Sequence, residues 1–327
     1  MKFKLPGIVL FLLLSIPTIT RGQEDENIPR DTTYNLKSAT LKIQKQYPAA
    51  EPVKVTPDPG VRAASEIVYR TLDNRKLHMD IFQPEISNEE TVPGILCIHG
   101  GGWASGNKSL LAPLAQELAC QGYVTATVEY RLSPEALYPT GVTDVKAAIK
   151  WIKRNAGTYG LDTNRIVLLG TSAGATIATL IGNTPGHPLY QTPDECSLRV
   201  SDRVRAIINI DGILDFTDPA ESGKDKDPAK PSAATRWFGS TYKESPDLWM
   251  EASPLTYAGE HSPSTLFINS SIPRFHAGRD AYISILEESG ISTTVFTLPD
   301  SPHSFWLFQP WFEVTVEQIL KFTNTVL

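Results

Sequence analysis

Apolar positions along the chain follow two different periods. In EIVYRTLDNRKLHMDIFQP, residues 66–84, apolar and polar positions alternate on either side of Asp73-Asn74, which predicts a β-hairpin. Beyond it the alternation gives way to short continuous apolar runs, with strands expected at Gly94–His99, Tyr123–Val128, Ile166–Gly170, Val204–Ile210, Thr265–Ile268 and Thr293–Leu298. Helical spacing lies between them, at Leu110–Gln121, Val142–Asn155, Ala173–Gly182, about Arg279–Glu288 and Trp311–Thr325. A strand without a polar face must be covered on both sides. The pattern therefore predicts an α/β fold, a mostly parallel twisted sheet with helices on both faces.

The start of the chain follows a third pattern. Lys2 and Lys4 precede an apolar run from Leu5 to Ile19 that contains Pro6 and Pro17 and leads into Thr20-Arg21-Gly22. This predicts a cleaved signal peptide over residues 1–22, and so a secreted or periplasmic protein. The run is too short and too broken by proline for a membrane anchor. Residues 23–64, rich in Pro, Asp, Glu and Lys, are expected as an extension packed on the main domain, with one short helix presenting Leu36, Thr40, Ile43 and Tyr47. Residues 65–327 form the expected catalytic domain, in which the long segment 215–262 follows a strand end and should shape a ligand site.

Composition excludes some partners. Of 327 residues 41% are hydrophobic, enough for a large core, and the formal charge of −6 without basic clusters speaks against nucleic acid or an anionic membrane surface. The three cysteines, Cys97 in an apolar strand, Cys120 in a helix and Cys196 in a polar loop, make no regular disulfide framework. No His, Cys, Asp and Glu set has metal-ligand spacing, so neither metal nor cofactor is expected.

Two glycine motifs carry chemistry. In IVLLGTSAGATIA, Gly170-Thr171-Ser172-Ala173-Gly174 lies between an apolar strand and an Ala-rich helix, where a G-x-S-x-G turn would push Ser172 out at the helix N-terminus as a nucleophile. Small residues are common in turns, so the motif alone does not fix a function. In ILCIHGGGWASG, glycines after a strand can bring backbone N–H groups close to a developing oxyanion, which makes Gly101 and Gly102, with Ala173, the candidate donors. His99 is expected to brace this loop, and Trp103 either walls the substrate pocket or packs. Among six histidines, His303 in LPDSPHSFW falls between the last strand and the last helix, where a general base can reach Ser172.

HGGGW, YRLSPEALYPTGVTD, GTSAG and a late histidine together resemble the secreted esterase branch of the α/β-hydrolases over residues 65–327. The resemblance implies that fold, a serine carboxylesterase activity, and a scaffolding role for Arg131, Glu135 and Asp144. PRFHAGRD and DGILDF are more narrowly similar to bacterial polysaccharide esterases that include pectin methylesterases. That implies an esterified oligo- or polysaccharide as substrate, with the methyl ester of galacturonate ahead of an acetyl or feruloyl ester. A non-catalytic binding protein of this fold would keep the glycines and lose nucleophile or base, and both are present.

One position departs from the family. The carboxylate that usually follows the strand at Thr265–Ile268 is missing, and Ser270, Ser271, Ile272 and Pro273 stand there instead. Asp211, at the end of AIINID one strand over, is the expected acid, with Asp280, Glu251 or no strict acid as alternatives. Arg274, His276 and Arg279 fill the loop, and guanidinium groups suit carboxylates, so these three are the expected contacts to a uronate. Pairing of the arginines with Asp280 or Glu287 is the alternative.

Overall fold

A computed structural model of the chain describes residues 28–73, 75–85, 91–191, 199–225, 227 and 229–327. The expected signal peptide and Cys196 lie outside these residues. The strands are β1 (Glu51–Pro52), β2 (Val61–Leu72), β3 (Arg75–Pro84), β4 (Val92–Ile98), β5 (Val124–Val128), β6 (Leu161–Thr171), β7 (Ala206–Ile210), β8 (Ser264–Asn269), β9 (Thr293–Thr297) and β10 (Phe308–Gln309). The helices are α1 (Leu36–Ile43), α2 (Ala112–Cys120), α3 (Thr140–Arg154), α4 (Ala156–Tyr159), α5 (Ala173–Asn183), α6 (Pro219–Ser222), α7 (Ala233–Phe238), α8 (Pro246–Glu251), α9 (Arg279–Glu288) and α10 (Trp311–Val326).

Eight strands form one sheet in the order β2-β3-β5-β4-β6-β7-β8-β9. The β2–β3 hairpin and its junction with β5 are antiparallel, and every pair from β5 to β9 is parallel. Alternation inside the apolar runs explains why they had no polar face. Leu96, Ile98, Leu168 and Ile207 pack with α3 and α5, while Ile95, Cys97, Val167, Leu169 and Ile208 pack with α2 and α10 on the opposite side. Helix α5 is buried at every position from Ala173 to Asn183, which suits a segment built from Ala, Gly, Thr and Ile.

The N-terminal extension is woven into this architecture. Strand β2 begins at Val61, inside the expected extension, and β1 pairs antiparallel with β10 beside the last helix. Helix α1 starts with a reciprocal cap, in which Asn35 accepts from the Ser38 amide and Ser38 Oγ accepts from the Asn35 amide. Its buried face is Ala39 and Ile43, with Leu36 and Tyr47 against the same cluster, so the expected face was set one position off at Thr40. Thr40 instead returns its hydroxyl to Leu36 O at 2.7 Å.

A buried acid holds the loop that follows β5. Asp144, fully buried on α3, receives both the Nε and Nη2 of Arg131 at 2.8 Å, the Arg131 amide at 3.1 Å, and the guanidinium of Arg70 from β2. Glu135 from the same loop accepts from Arg75 Nε at 3.1 Å. Removing one member of such a cluster strands the others in a poorly solvated site, and the half-burial of the two arginines moderates the loss. Asp144→Ala is expected to lose about 3 kcal/mol of stability in urea unfolding, while Asp280→Asn, on the surface, stays within about 0.5 kcal/mol.

Candidate active site

The strand β6 ends at Thr171 and α5 begins at Ala173, so Ser172 must reverse the chain alone. It does so at φ 51° and ψ −123°, a conformation that costs a residue with a Cβ about 1–3 kcal/mol. The surroundings hold it there: the Ser172 amide donates to Ile210 O at 2.8 Å, and its carbonyl accepts from the Ala175 amide at 2.9 Å. The turn closes tightly enough that a Cβ on Gly170 would lie 2.2 Å from Gly174 O, which is why small residues occupy both positions. The hydroxyl stands clear of the sheet, at the positive end of α5.

His303 meets it. Nε2 of His303 lies 2.9 Å from Ser172 Oγ, and Nδ1 lies 2.9 Å from Asp211 Oδ2. Asp211 is fully buried at the end of β7, with φ 54°, and its own amide donates to Ile268 O at 3.0 Å. Its second oxygen accepts from the Ser270 amide at 2.7 Å. The slot where an acid was missing thus supplies a donor to the acid next door. Burial lowers the His303 pKa and the positive charges of Arg274 and Lys42 act with it, while the hydrogen bond and charge of Asp211 oppose them. The ring is stacked on Phe275, with centroids 3.6 Å apart and planes 7° apart, and touched edgewise by Trp306.

The glycine loop presents its amides by fixing its carbonyls. His99, buried and kept neutral with its pKa pushed down to about 4 by burial, binds Gly100 O through Nδ1 at 2.8 Å. Gly101 O accepts from the Ala104 and Ser105 amides and from Ser105 Oγ. In a trans peptide the carbonyl and the following N–H point opposite ways, so these bonds turn the Gly101 and Gly102 amides away from the loop interior. Gly101 has φ 128°, and a Cβ there would lie 2.0 Å from Ser105 O, so no other residue fits. The first-turn amide of Ala173 has no partner within its helix, as at any helix start. Gly101 and Gly102 line the same cavity of about 610 Å³ as Ser172 and His303.

Four expected substrate contacts are corrected. Trp103 is buried, stacked on Trp237 at 4.6 Å, and donates Nε1–H to Ala173 O at 3.1 Å; it fastens the 215–262 segment onto the glycine loop and is not among the residues lining the cavity of Ser172. Arg274 is held by Glu221, Nε to Oε1 at 2.7 Å, a partner 53 residues away in the segment at α6. Arg279 bonds Asp280 at 2.8 Å and Asn269 at 2.9 Å, and His276 Nε2 lies 3.0 Å from Ser270 O. Each of the three loop residues is occupied by the fold and none lines the cavity. Asp280 itself stands on the surface in the first turn of α9, and Glu251 ends α8; neither is hydrogen-bonded to His303. What the sequence reading missed is the opposite wall, formed by Tyr34, Ser38, Lys42, Gln46 and Tyr47 in and around α1.

Over 145 residues the chain is 36% identical to a probable carboxylic ester hydrolase, LipM, of Mycobacterium tuberculosis, covering 44% of this chain and 33% of that one. Esterase LipQ of the same organism is 26% identical over 234 residues, covering 69% of this chain and 54% of that one. The chain thus spans between a third and about half the length of these two relatives. A solved structure titled as a truncated form of a carbohydrate esterase from gut microbiota superposes with a TM-score of 0.68 at 20% identity, covering 80% of this chain and 96% of that one. That likeness shows the α/β-hydrolase fold. The family profile BD-FAE matches residues 79–274, from β3 to the loop after β8 and more than half of the chain, so the protein belongs to the BD-FAE family.

Proposed function

We propose that the protein is a serine carboxylesterase that removes ester groups from carbohydrate. One observation carries this reading: an unbroken hydrogen-bonded chain from buried Asp211 through His303 to Ser172, opening on a cavity beside the glycine amides. Ser172 Oγ attacks the ester carbonyl as His303 Nε2 takes its proton, and the Gly101, Gly102 and Ala173 amides hold the oxyanion. The C–O bond to the alcohol breaks as His303 returns the proton to the leaving oxygen. Water, deprotonated by the same imidazole, then attacks the acyl-enzyme and releases the acid, and Ser172 regains its proton. Asp211 keeps Nδ1 protonated and stabilises the imidazolium that forms twice in the cycle.

Within this class the methyl ester of galacturonate in pectin comes first. The resemblance of PRFHAGRD and DGILDF to polysaccharide esterases supports it, as does the cation Lys42 on the wall of the cavity that holds His303. A feruloyl ester is a further reading: Trp103, Trp237, Phe216 and Phe238 are packed against one another and buried, so an aromatic acyl group would meet Tyr34 and Tyr47 on the cavity wall instead. An acetyl ester on a plant polysaccharide is the second reading, since the related fold of the gut carbohydrate esterase carries that broader label. Export directed by residues 1–22 fits a polymer too large to enter a cell. Methanol and acetate release, measured side by side on pectin and on acetylated xylan, separates the two; acetate without methanol would overturn the methyl ester.

Ser172→Ala and His303→Ala are each expected to lower kcat by about 10⁴-fold or more on a p-nitrophenyl ester, because nucleophile and base act as a unit. Asp211→Asn should lower it by about 10²- to 10⁴-fold and Asp280→Asn by less than about twofold. The reverse ranking would move the acid to α9.

The reaction needs His303 neutral, so kcat/KM should rise with pH through the pKa of the free enzyme and then level. That pKa lies below the ordinary imidazole value of 6.5, so the plateau is expected to extend through neutral pH into mildly acidic solution. Asp211 raises the pKa, and its removal must lower it. The residual activity of Asp211→Asn should therefore show its acid limb at lower pH than wild type, and a limb moved upward would contradict the assignment.

A further inference from the structure

Helix α1 lies outside the stretch that matches the family profile, yet it walls the cavity that holds Ser172 and His303. Cavity-lining positions along it and just past its end are Ser38, Ala39, Lys42, Ile43, Gln46 and Tyr47, which is one continuous helical face. The apolar half of that face, Ala39 and Ile43, is packed into the core. The polar half runs along the opening. Ser38 is committed to the cap with Asn35, and Gln46 donates Nε2–H to Tyr47 Oη at 3.3 Å, so among the described residues the Lys42 ammonium and the Gln46 amide oxygen are the groups left to meet a ligand.

The helix is fixed relative to the catalytic base. Tyr34 Oη lies 3.0 Å from Ser304 Oγ, next to His303, and Tyr47 Oη donates to Asp300 at 3.3 Å in the same loop. Lys42 therefore sits on a rigid element, and its charge is felt at His303. Among the described residues it has no ion-pair partner, whereas the cations first expected to grip an anion, Arg274 and Arg279, are held by Glu221 and Asp280. Asp300, the carboxylate on the cavity wall, is exposed and bonded to Tyr47. A neutral alkyl ester would make no use of an unpaired ammonium held at this opening.

We propose that α1 forms a sugar subsite, in which Lys42 pairs with the free carboxylate of a uronate unit flanking the ester under attack. The proposal rests on the esterase reading and adds the group that selects an anionic polymer. Gln46, one turn further on, offers its amide oxygen to a hydroxyl of the same unit.

The test compares a short galacturonide bearing one methyl ester and free carboxylates with p-nitrophenyl acetate, in wild type, Lys42→Ala, Lys42→Arg and Lys42→Glu. The ratio of kcat/KM on the galacturonide to that on the acetate should fall about 10-fold in Lys42→Ala, through KM more than kcat, as expected for one charge-assisted contact at a solvated rim. It should fall further in Lys42→Glu and return to within about threefold of wild type in Lys42→Arg, which keeps the charge. Added salt should raise the wild-type KM on the galacturonide and raise that of Lys42→Ala less. An unchanged ratio in Lys42→Ala, equal losses on both esters, or a wild type that cleaves only the acetate would overturn the proposal and leave the esterase reading standing. A folded wild type that cleaves neither ester would overturn the esterase reading itself.

Discussion

Two neighbouring strand ends, each finished by a residue at positive φ, set the geometry on which the site depends. In the parallel register Thr171 pairs with Ile210 and Ile210 with Ile268, so Ser172 and Asp211 are the next positions out on β6 and β7. Both amides continue the ladder, Ser172 to Ile210 O and Asp211 to Ile268 O, although both residues have left strand conformation. The ladder thus pulls each residue into a conformation that it would avoid alone. Sheet pairing and burial of the flanking apolar runs offset the strain, and the side chains are projected from a scaffold with little freedom. A loop-borne acid would depend on a longer and more mobile connection.

Moving the acid to β7 changes what the loop after β8 has to do. Its first amide, from Ser270, donates to Asp211, and Ser270 O is in turn bound by His276. Ser271 Oγ donates to Ser301 O at 3.1 Å, two residues before the base, and Phe275 stacks on the imidazole. Arg274 lies over the Phe275 ring, 4.9 Å from its centroid, while tied to Glu221. The sequence PRFH therefore reads as a clamp on the histidine: an aromatic face, a cation to hold that face, and an imidazole to fix the turn beneath it. An arginine in such a stack does its work through packing as much as through charge.

The sheet, the Ser172 turn and the glycine loop were open to sequence reading because each depends on local rules. A buried strand must be apolar, an elbow must be small, and a loop of close amides must be glycine. The acid could be argued from Asp211 because it ends a strand, and strand ends meet in a parallel sheet. Partners brought together by folding were not open in this way. Nothing near Arg274 in sequence announces Glu221, and nothing near Trp103 announces Trp237. The same holds for Tyr34 and Ser304, at opposite ends of the chain. The expected face of α1 had Leu36, Ile43 and Tyr47 right and Thr40 in place of Ala39, but an amphipathic pattern says only which side is buried, not that Lys42 on its edge meets the cavity.

The cavity's two walls differ in how they treat charge, and that difference bears on the chemistry. Behind the sheet-side wall the ionic groups near His303 are paired with one another or with the backbone: Asp211 with His303 and Ser270, Arg274 with Glu221, Arg279 with Asp280. Groups paired in this way hold shape and contribute a fixed field, in which Asp211 favours the imidazolium and Arg274 opposes it. A base must take a proton and give it back within one cycle, so neither influence can dominate without slowing one of the two transfers. On the α1 side Lys42 opposes the imidazolium as well, but among the described residues its charge has no ion-pair partner. An anion bound there would neutralise it and raise the proton affinity of His303 at the moment when the imidazole has to accept the Ser172 proton. In the subsite proposed above, binding of a charged sugar at α1 would thus act on proton transfer at His303 through the same field, in the direction that helps the imidazole accept the proton.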